Sequence, residues 1–275
     1  MKVVALLLAF SLAAVSPSRA ADLSDPVTGH PGVTQFDLLK LAVTDLARDK
    51  HGAAHGKTVV HFDHIEGKDA YVDLPDEPTV GSIEVMAIPG DPSRELMLVD
   101  FGPSDGFVAP ADLMLLFALD PKPRLLDITE VGNDRFVGWT TPPQMLAPGA
   151  PLILIESEHD NSNQTYVSNT MVTVRADRFR WIDTVSTFSE ARCGFQRLQQ
   201  PSFTAQPDKA AYASIQVKVV EQTKLATDVD CGNEIVPKPS RRVFETLYRW
   251  SRAKHDFVAN NRVLERLATA NAKRF

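Results

Sequence analysis

From about Thr58 to Glu221 the sequence alternates apolar and polar residues with a period of two, and turn-forming residues interrupt it at short intervals. Such alternation buries one side of each segment and leaves the other in solvent, as in antiparallel strands. The tight Ala176-Asp177 turn predicts a β-hairpin. About ten short strands with polar turns predict antiparallel sheets, arranged as a sandwich or a partial propeller.

Two helices are predicted to flank this β-rich body. The segment from Thr34 to about Asp49 has apolar residues at helical spacing, and Thr34 with Asp37 forms a capping-box-like pair. Residues 240–272 carry a second stripe of this spacing, which begins after Ser240. That stripe consists of Val243, Leu247, Trp250, Phe257, Leu264 and Leu267. The expected class is mainly β (α+β), with an N-terminal helix and a long C-terminal helix.

The first twenty residues have the pattern of a secretory signal peptide. A basic start precedes an apolar run too short to span a bilayer, and a small-x-small cleavage site ends at Ala20. We therefore divide the chain into a signal peptide (1–20), an N-terminal arm (21–32) and one β-rich domain (33–275). No second apolar segment approaches the length of a membrane span, so we expect a periplasmic or secreted protein without integral membrane insertion.

The chain contains two cysteines, Cys193 and Cys231. In an oxidising compartment two such residues are expected to pair. A bridge that closes a loop of about 39 residues would stabilise the fold by roughly 4 kcal/mol in the chain-entropy model. Two buried free thiols are the alternative, and a catalytic cysteine is disfavoured because no accompanying histidine–asparagine pattern is visible.

The charge is uneven along the sequence. Residues 238–275 contain ten basic and three acidic residues, so this segment carries +7 in a chain of net charge −6. An acidic body with a basic tail indicates either internal docking of the tail or attraction to an anionic surface. Export argues against nucleic acid as the partner.

Four histidines and an aspartate form a candidate site for zinc or copper, since neutral imidazole is a preferred ligand of both metals. These residues are His51, His55, His61, Asp63 and His64. In a strand from Thr58 to Ile65, however, His61 and Asp63 would point to one face and His64 to the other. Solvated loop histidines with one packed histidine are the alternative interpretation.

A run of oxygen-bearing side chains at the end of one predicted strand forms a candidate calcium site. Its residues are Glu156, Glu158, Asp160, Asn161 and Asn163. The loop lacks the Asp-x-Asp-x-Asp-Gly pattern, and a polar hairpin turn explains the same residues.

The segment Glu158–Asp160 also raises the possibility of a hydrolase, because Ser157, His159 and Asp160 are the residue types of a nucleophilic triad. Triad members converge from separate elements, and no Gly-x-Ser-x-Gly elbow is present. Asp127 and Asp183 lie on predominantly apolar strand faces, where a carboxylate is expected to partner an arginine or a turn.

Two short fragments resemble the Phe-Gly/Gly-Ala-Pro repeats of propeller proteins. They are Phe101-Gly102 followed by Ala109-Pro110, and Gly149-Ala150-Pro151. The aspartate-rich calcium loop of that repeat is missing, so the resemblance implies a β architecture and does not imply calcium binding.

These observations favour an exported β-rich protein with a non-enzymatic binding or envelope-associated role. Its partner would be an envelope component or a small molecule. A divalent metal-binding protein built on the His51–His64 segment and a hydrolase built around Glu158–Asp160 are the alternatives.

Overall fold

The computed structural model describes residues 19–67, 78–102, 111–132, 136–140, 142–226 and 236–274, in which antiparallel β-strands predominate. The strands before residue 140 are β1 (Arg19–Ala21), β2 (Pro26–Val27), β3 (His30–Thr34), β4 (Ala47–Arg48), β5 (Ala54–His55), β6 (Thr79–Ile88), β7 (Asp91–Gly102), β8 (Ala111–Ala118), β9 (Arg124–Glu130) and β10 (Phe136–Trp139). The later strands are β11 (Gln144–Ala147), β12 (Ala150–Asn161), β13 (Gln164–Arg175), β14 (Arg178–Arg192), β15 (Phe195–Gln206), β16 (Ser214–Leu225), β17 (Ser240–Ser251) and β18 (Asp256–Ala259). The helices are α1 (Gln35–Leu39) and α2 (Val263–Ala272).

This architecture confirms the predicted mainly β class with antiparallel sheets. Neither of the two helices in the described part of the chain is long and apolar enough to cross a membrane.

The first sheet has the strand order β4-β5-β6-β7-β8-β9, and β1 pairs with the outer edge of β6. Every residue of its inner strand β8 is buried, because both faces of the sheet are covered. Leu113, Leu115 and Phe117 point into a core beneath the N-terminal segment. Met114 and Leu116 alternate with them and point into a second core, which the first sheet shares with the second.

The N-terminal segment forms the outer cover of the first sheet. The capping box of Thr34 and Asp37 is present, and it starts α1 as the sequence predicts. The helix nevertheless ends at Leu39, so its predicted continuation to Asp49 is wrong. Beyond that point the Asp45 carboxylate accepts the backbone N–H groups of residues 57 and 58 and bends the chain back on itself.

The second sheet has the strand order β10-β12-β13-β14-β15-β16-β17-β18, and β11 also pairs with β12. The hairpin of β13 and β14 confirms the prediction at Ala176-Asp177, where both residues have positive φ angles of 51° and 58°. Such angles are those of the tight turns that join twisted strands. Val174 pairs with Phe179 across this hairpin.

The second sheet also has its own core on the face turned away from the first sheet. This core contains Leu152, Met171, Val185, Ile215, Val217, Val219, Tyr248, Phe257, Leu264 and Leu267. β14 and β15 pair through three residue pairs, from Glu190–Arg197 to Arg192–Phe195. β14 also packs against α2.

The long C-terminal helix predicted over residues 240–272 is wrong. Residues 240–251 form β17, which pairs with β16 from Ser240–Thr223 to Tyr248–Ile215, and the helix begins at Val263. The competing signal is a run of aromatic and β-branched residues at every second position: Phe244, Thr246, Tyr248 and Trp250. Pairing with β16 satisfies that period of two, so it overrides the helical spacing.

One arginine joins the two sheets at the end where β7 begins. Arg94, whose side chain is 13% exposed, donates to Asp91 (2.6 Å) in its own sheet. It also donates to the Gly149 carbonyl (2.9 Å) and to the Asp177 carboxylate (3.4 Å), which lie in two turns of the second sheet. A single guanidinium therefore binds three turns together.

Candidate functional site

A cavity of about 450 Å3 opens where residues 61–67 cross the edge of the first sheet and meet the start of β14. The segment is held by two backbone hydrogen bonds to Glu130, one from the Ile65 N–H and one to the Asp63 carbonyl. The Thr129 hydroxyl donates to the same carbonyl (2.8 Å). These bonds form an isolated bridge along β9, so the predicted strand from residue 58 to 65 is not formed.

The charges of this cleft are partly paired. The Asp127 carboxylate accepts hydrogen bonds from Arg178 (2.7 Å) and from the Phe179 N–H (2.7 Å), so both of its oxygens are engaged. This confirms the expectation that Asp127 partners an arginine. Arg180 is exposed and makes no ion pair with any residue in the described ranges. The cleft thus has an available guanidinium on one wall.

The structure does not bring the five predicted zinc or copper ligands together. His51 and His55 are exposed, and His61 is 3.8 Å from Asp63 at the mouth of the cleft. His64 is buried: it accepts the Glu66 N–H and is hydrogen-bonded to the Gly132 backbone, and burial lowers its pKa. In the described part of the chain no three His, Cys, Asp or Glu side chains are placed to hold a metal ion.

The predicted calcium residues lie at the tip of the β12–β13 hairpin. Glu156, Glu158 and Asp160 alternate along β12 and share one face, and burial, followed by the charges of Asp160 and Glu156, raises the pKa of Glu158. Asp160 accepts the Thr165 hydroxyl (2.7 Å). Asn161 is exposed and pairs across the strands, and the Asn163 amide donates to the Ala191 carbonyl. These contacts are those of a polar hairpin.

The three hydrolase-type residues do not share one face of β12. Ser157 is buried on the side of β12 turned towards the first sheet, with Ile155. Asp160 lies an odd number of residues away, so it projects from the opposite face. Asp183, the other carboxylate on an apolar face, accepts the Tyr248 hydroxyl (2.5 Å) rather than an arginine.

A pair of carboxylates between the sheets, one buried and one half-buried, was not among the sites predicted from the sequence. Asp100 on β7 and Asp112 on β8 are directly opposite each other, on the face that Leu98 and Met114 turn towards the second sheet. A signal for this pair exists in the sequence. Leu-Met-Leu-Val-Asp in β7 mirrors Asp-Leu-Met-Leu-Leu in β8, so a hairpin of these two strands places the acids opposite each other.

No family model, curated protein or solved structure matches this chain.

Proposed function

We propose that the protein is an exported binding protein that takes a small molecule with an anionic group in the cleft beside residues 61–67. The proposal depends on the guanidinium of Arg180, which lines the cleft and forms no ion pair with the residues that the structure describes. Its neighbour Arg178 is neutralised by Asp127. Arg180 is therefore the group available to a carboxylate or a phosphate, which arginine binds in bidentate fashion.

The size and construction of the cleft support this role. A volume of about 450 Å3 lies within the range of small-molecule sites. The walls come from the edge of the first sheet and the start of β14, both of which are held by backbone hydrogen bonds. A binding site on such elements is largely preformed. The core shared by the two sheets also supports a sandwich over a partial propeller.

Export and the disulfide remain part of the proposal. The leader pattern supports export, and cleavage after Ala20 would leave Ala21 as the residue of β1 that pairs with Ile83. Cys193 lies in the turn between β14 and β15, and Cys231 lies outside the described residues. The Ala226 N–H donates to the Gly194 carbonyl (2.9 Å), so the chain passes beside Cys193 five residues before Cys231. This proximity supports pairing.

Thermal unfolding in the presence of small molecules tests the proposal. We would use succinate, inorganic phosphate and glucose as representatives of carboxylates, phosphates and neutral ligands. An anionic probe should raise the melting temperature of the wild-type protein, and Arg180→Gln should remove that rise. The exposed Arg252, in the turn after β17, provides a matched control, and Arg252→Gln should respond like the wild type.

Two results would contradict this function. One is a rise with glucose alone, which would assign the cleft to neutral ligands. The other is an unchanged response of Arg180→Gln to the anionic probe, which would place binding elsewhere.

A further inference from the structure

Among the described residues, one oxygen of each of the two opposed carboxylates between the sheets has no hydrogen-bond partner. Asp112 is 2% exposed, and its Oδ2 atom is buried without a partner. The Oδ1 atom of Asp100, directly opposite, is also buried and without one. Within the described ranges, neither residue forms an ion pair with a basic side chain. Desolvated carboxylates in this state are unusual, since buried polar atoms are normally satisfied.

The arrangement is repulsive as long as both groups are ionised. Like charges directly opposite each other on paired strands destabilise a sheet. Burial raises the pKa of both carboxyls, and the charges of Asp100 and Glu130 add to the effect at Asp112. A proton or a cation at the pair relieves this repulsion.

Two glycines let the carboxylates of the pair pack directly against neighbouring backbone. A Cβ atom at Gly81 would lie 3.0 Å from Asp100 Oδ2, and one at Gly132 would lie 3.2 Å from Asp112 Oδ2. Both glycines belong to different elements from the acids, at β6 and just after β9. Glycine in or beside a strand often marks the close approach of a ligand or of another backbone.

We propose that Asp100 and Asp112 form a binding site for a calcium ion. Calcium prefers carboxylate and carbonyl oxygens and tolerates irregular geometry, which suits two opposed carboxylates lined by glycine backbone. Its shell takes about six to eight oxygens, so backbone carbonyls and water would complete it. The ion would offset the like charges, which no side chain in the described part of the chain does. This site is distinct from the calcium site predicted at the β12–β13 hairpin.

Calorimetric titration with calcium chloride at pH 8, after removal of metals by chelation, tests this inference. The wild-type protein should bind one calcium ion per chain, and its melting temperature should rise by about 5 °C or more at a hundredfold excess over Kd. Asp112→Asn should weaken binding at least tenfold and lose the rise. Asp160→Asn, a matched change in the hairpin, should keep both.

The competing outcomes are distinguishable. Absence of calcium binding to the wild-type protein would overturn the inference, as would binding that is lost in Asp160→Asn and retained in Asp112→Asn. If Asp112→Asn fails to fold, Asp100→Asn on the neighbouring strand replaces it, with the same expected loss. Loss of phosphate or succinate binding in Arg180→Gln is independent of either result, because Arg180 lines the cleft beside residues 61–67, whose described lining includes neither Asp100 nor Asp112.

Discussion

Replacing Asp112 by asparagine should make the stability of the protein less dependent on pH. The pKa of Asp112 is raised from 3.8 to about 9, first by burial and then by the charges of Asp100 and Glu130. Since the folded pKa exceeds the unfolded one, the folded protein retains a proton that the unfolded chain releases. The contribution of this group is therefore fully favourable below about pH 4 and is lost progressively as the pH rises towards about 9.

The size of this effect on stability follows from the folded and unfolded pKa values of Asp112. At about 1.36 kcal/mol per pH unit, holding the proton at pH 7 costs at most about 4 kcal/mol relative to an unfolded pKa of 3.8. Asparagine has nearly the same shape and no charge, so it avoids this cost. We expect Asp112→Asn to be more stable than the wild type at pH 8 in the absence of calcium. The difference between the two proteins should shrink by up to about 4 kcal/mol on going to pH 5.

Urea unfolding at pH 5, 6.5 and 8 in the presence of a chelator measures these free energies. Asp256→Asn serves as a control, because Asp256 is exposed and its acceptor bond to the Phe257 N–H can be kept by the amide oxygen. The control should follow the wild type at every pH. A difference between Asp112→Asn and the wild type that stays constant from pH 5 to pH 8 would refute the reasoning.

Two further predictions concern the turns and the cysteines. Gly149→Ala and Gly90→Ala both place alanine at a positive φ (71° and 75°), but only the first brings a Cβ within 2.7 Å of the Arg94 guanidinium. Gly149→Ala should therefore lose about 1–2 kcal/mol more in urea unfolding, and equal losses would show that the Arg94 contact contributes nothing. For the proposed bridge, alkylation of the unfolded, unreduced protein should label neither Cys193 nor Cys231. Reduction should expose both and lower the free energy of unfolding by up to about 4 kcal/mol, and labelling without reductant would exclude the pairing.

Local patterns in the sequence were sufficient for the elements whose contacts are local. The Ala176-Asp177 hairpin and the Thr34 capping box depend on neighbours within a few residues, and both were predicted correctly. The C-terminal helix failed because Val243, Leu247 and Trp250 satisfy a helical spacing while their strand satisfies a period of two. Pairing with β16, about 25 residues earlier in the chain, decided between the two patterns.

The candidate sites depend on tertiary contacts that the sequence pattern does not encode. Arg180 differs from its neighbour Arg178 because Arg178 pairs with Asp127, which is 51 residues away in the sequence. The opposition of Asp100 and Asp112 requires the register of β7 and β8, which the mirrored apolar runs indicate only once a hairpin is assumed. For the histidine cluster, the sequence predicted a site that the fold does not form. Proximity in sequence indicated a metal site, whereas the fold turns His64 inwards and leaves His51 and His55 exposed.

The position of Arg94 sets where the two layers of this protein can part. Its guanidinium joins turns of both sheets at the start of β7. Asp100 lies six residues further along the same strand, which is roughly 20 Å away at about 3.3 Å per residue. Separation of the sheets at the Arg94 end must break two hydrogen bonds of one side chain together. The Asp100 end has no corresponding ion pair among the described residues. We therefore expect the two sheets to separate first at the end that carries Asp100 and Asp112, while the Arg94 end stays closed.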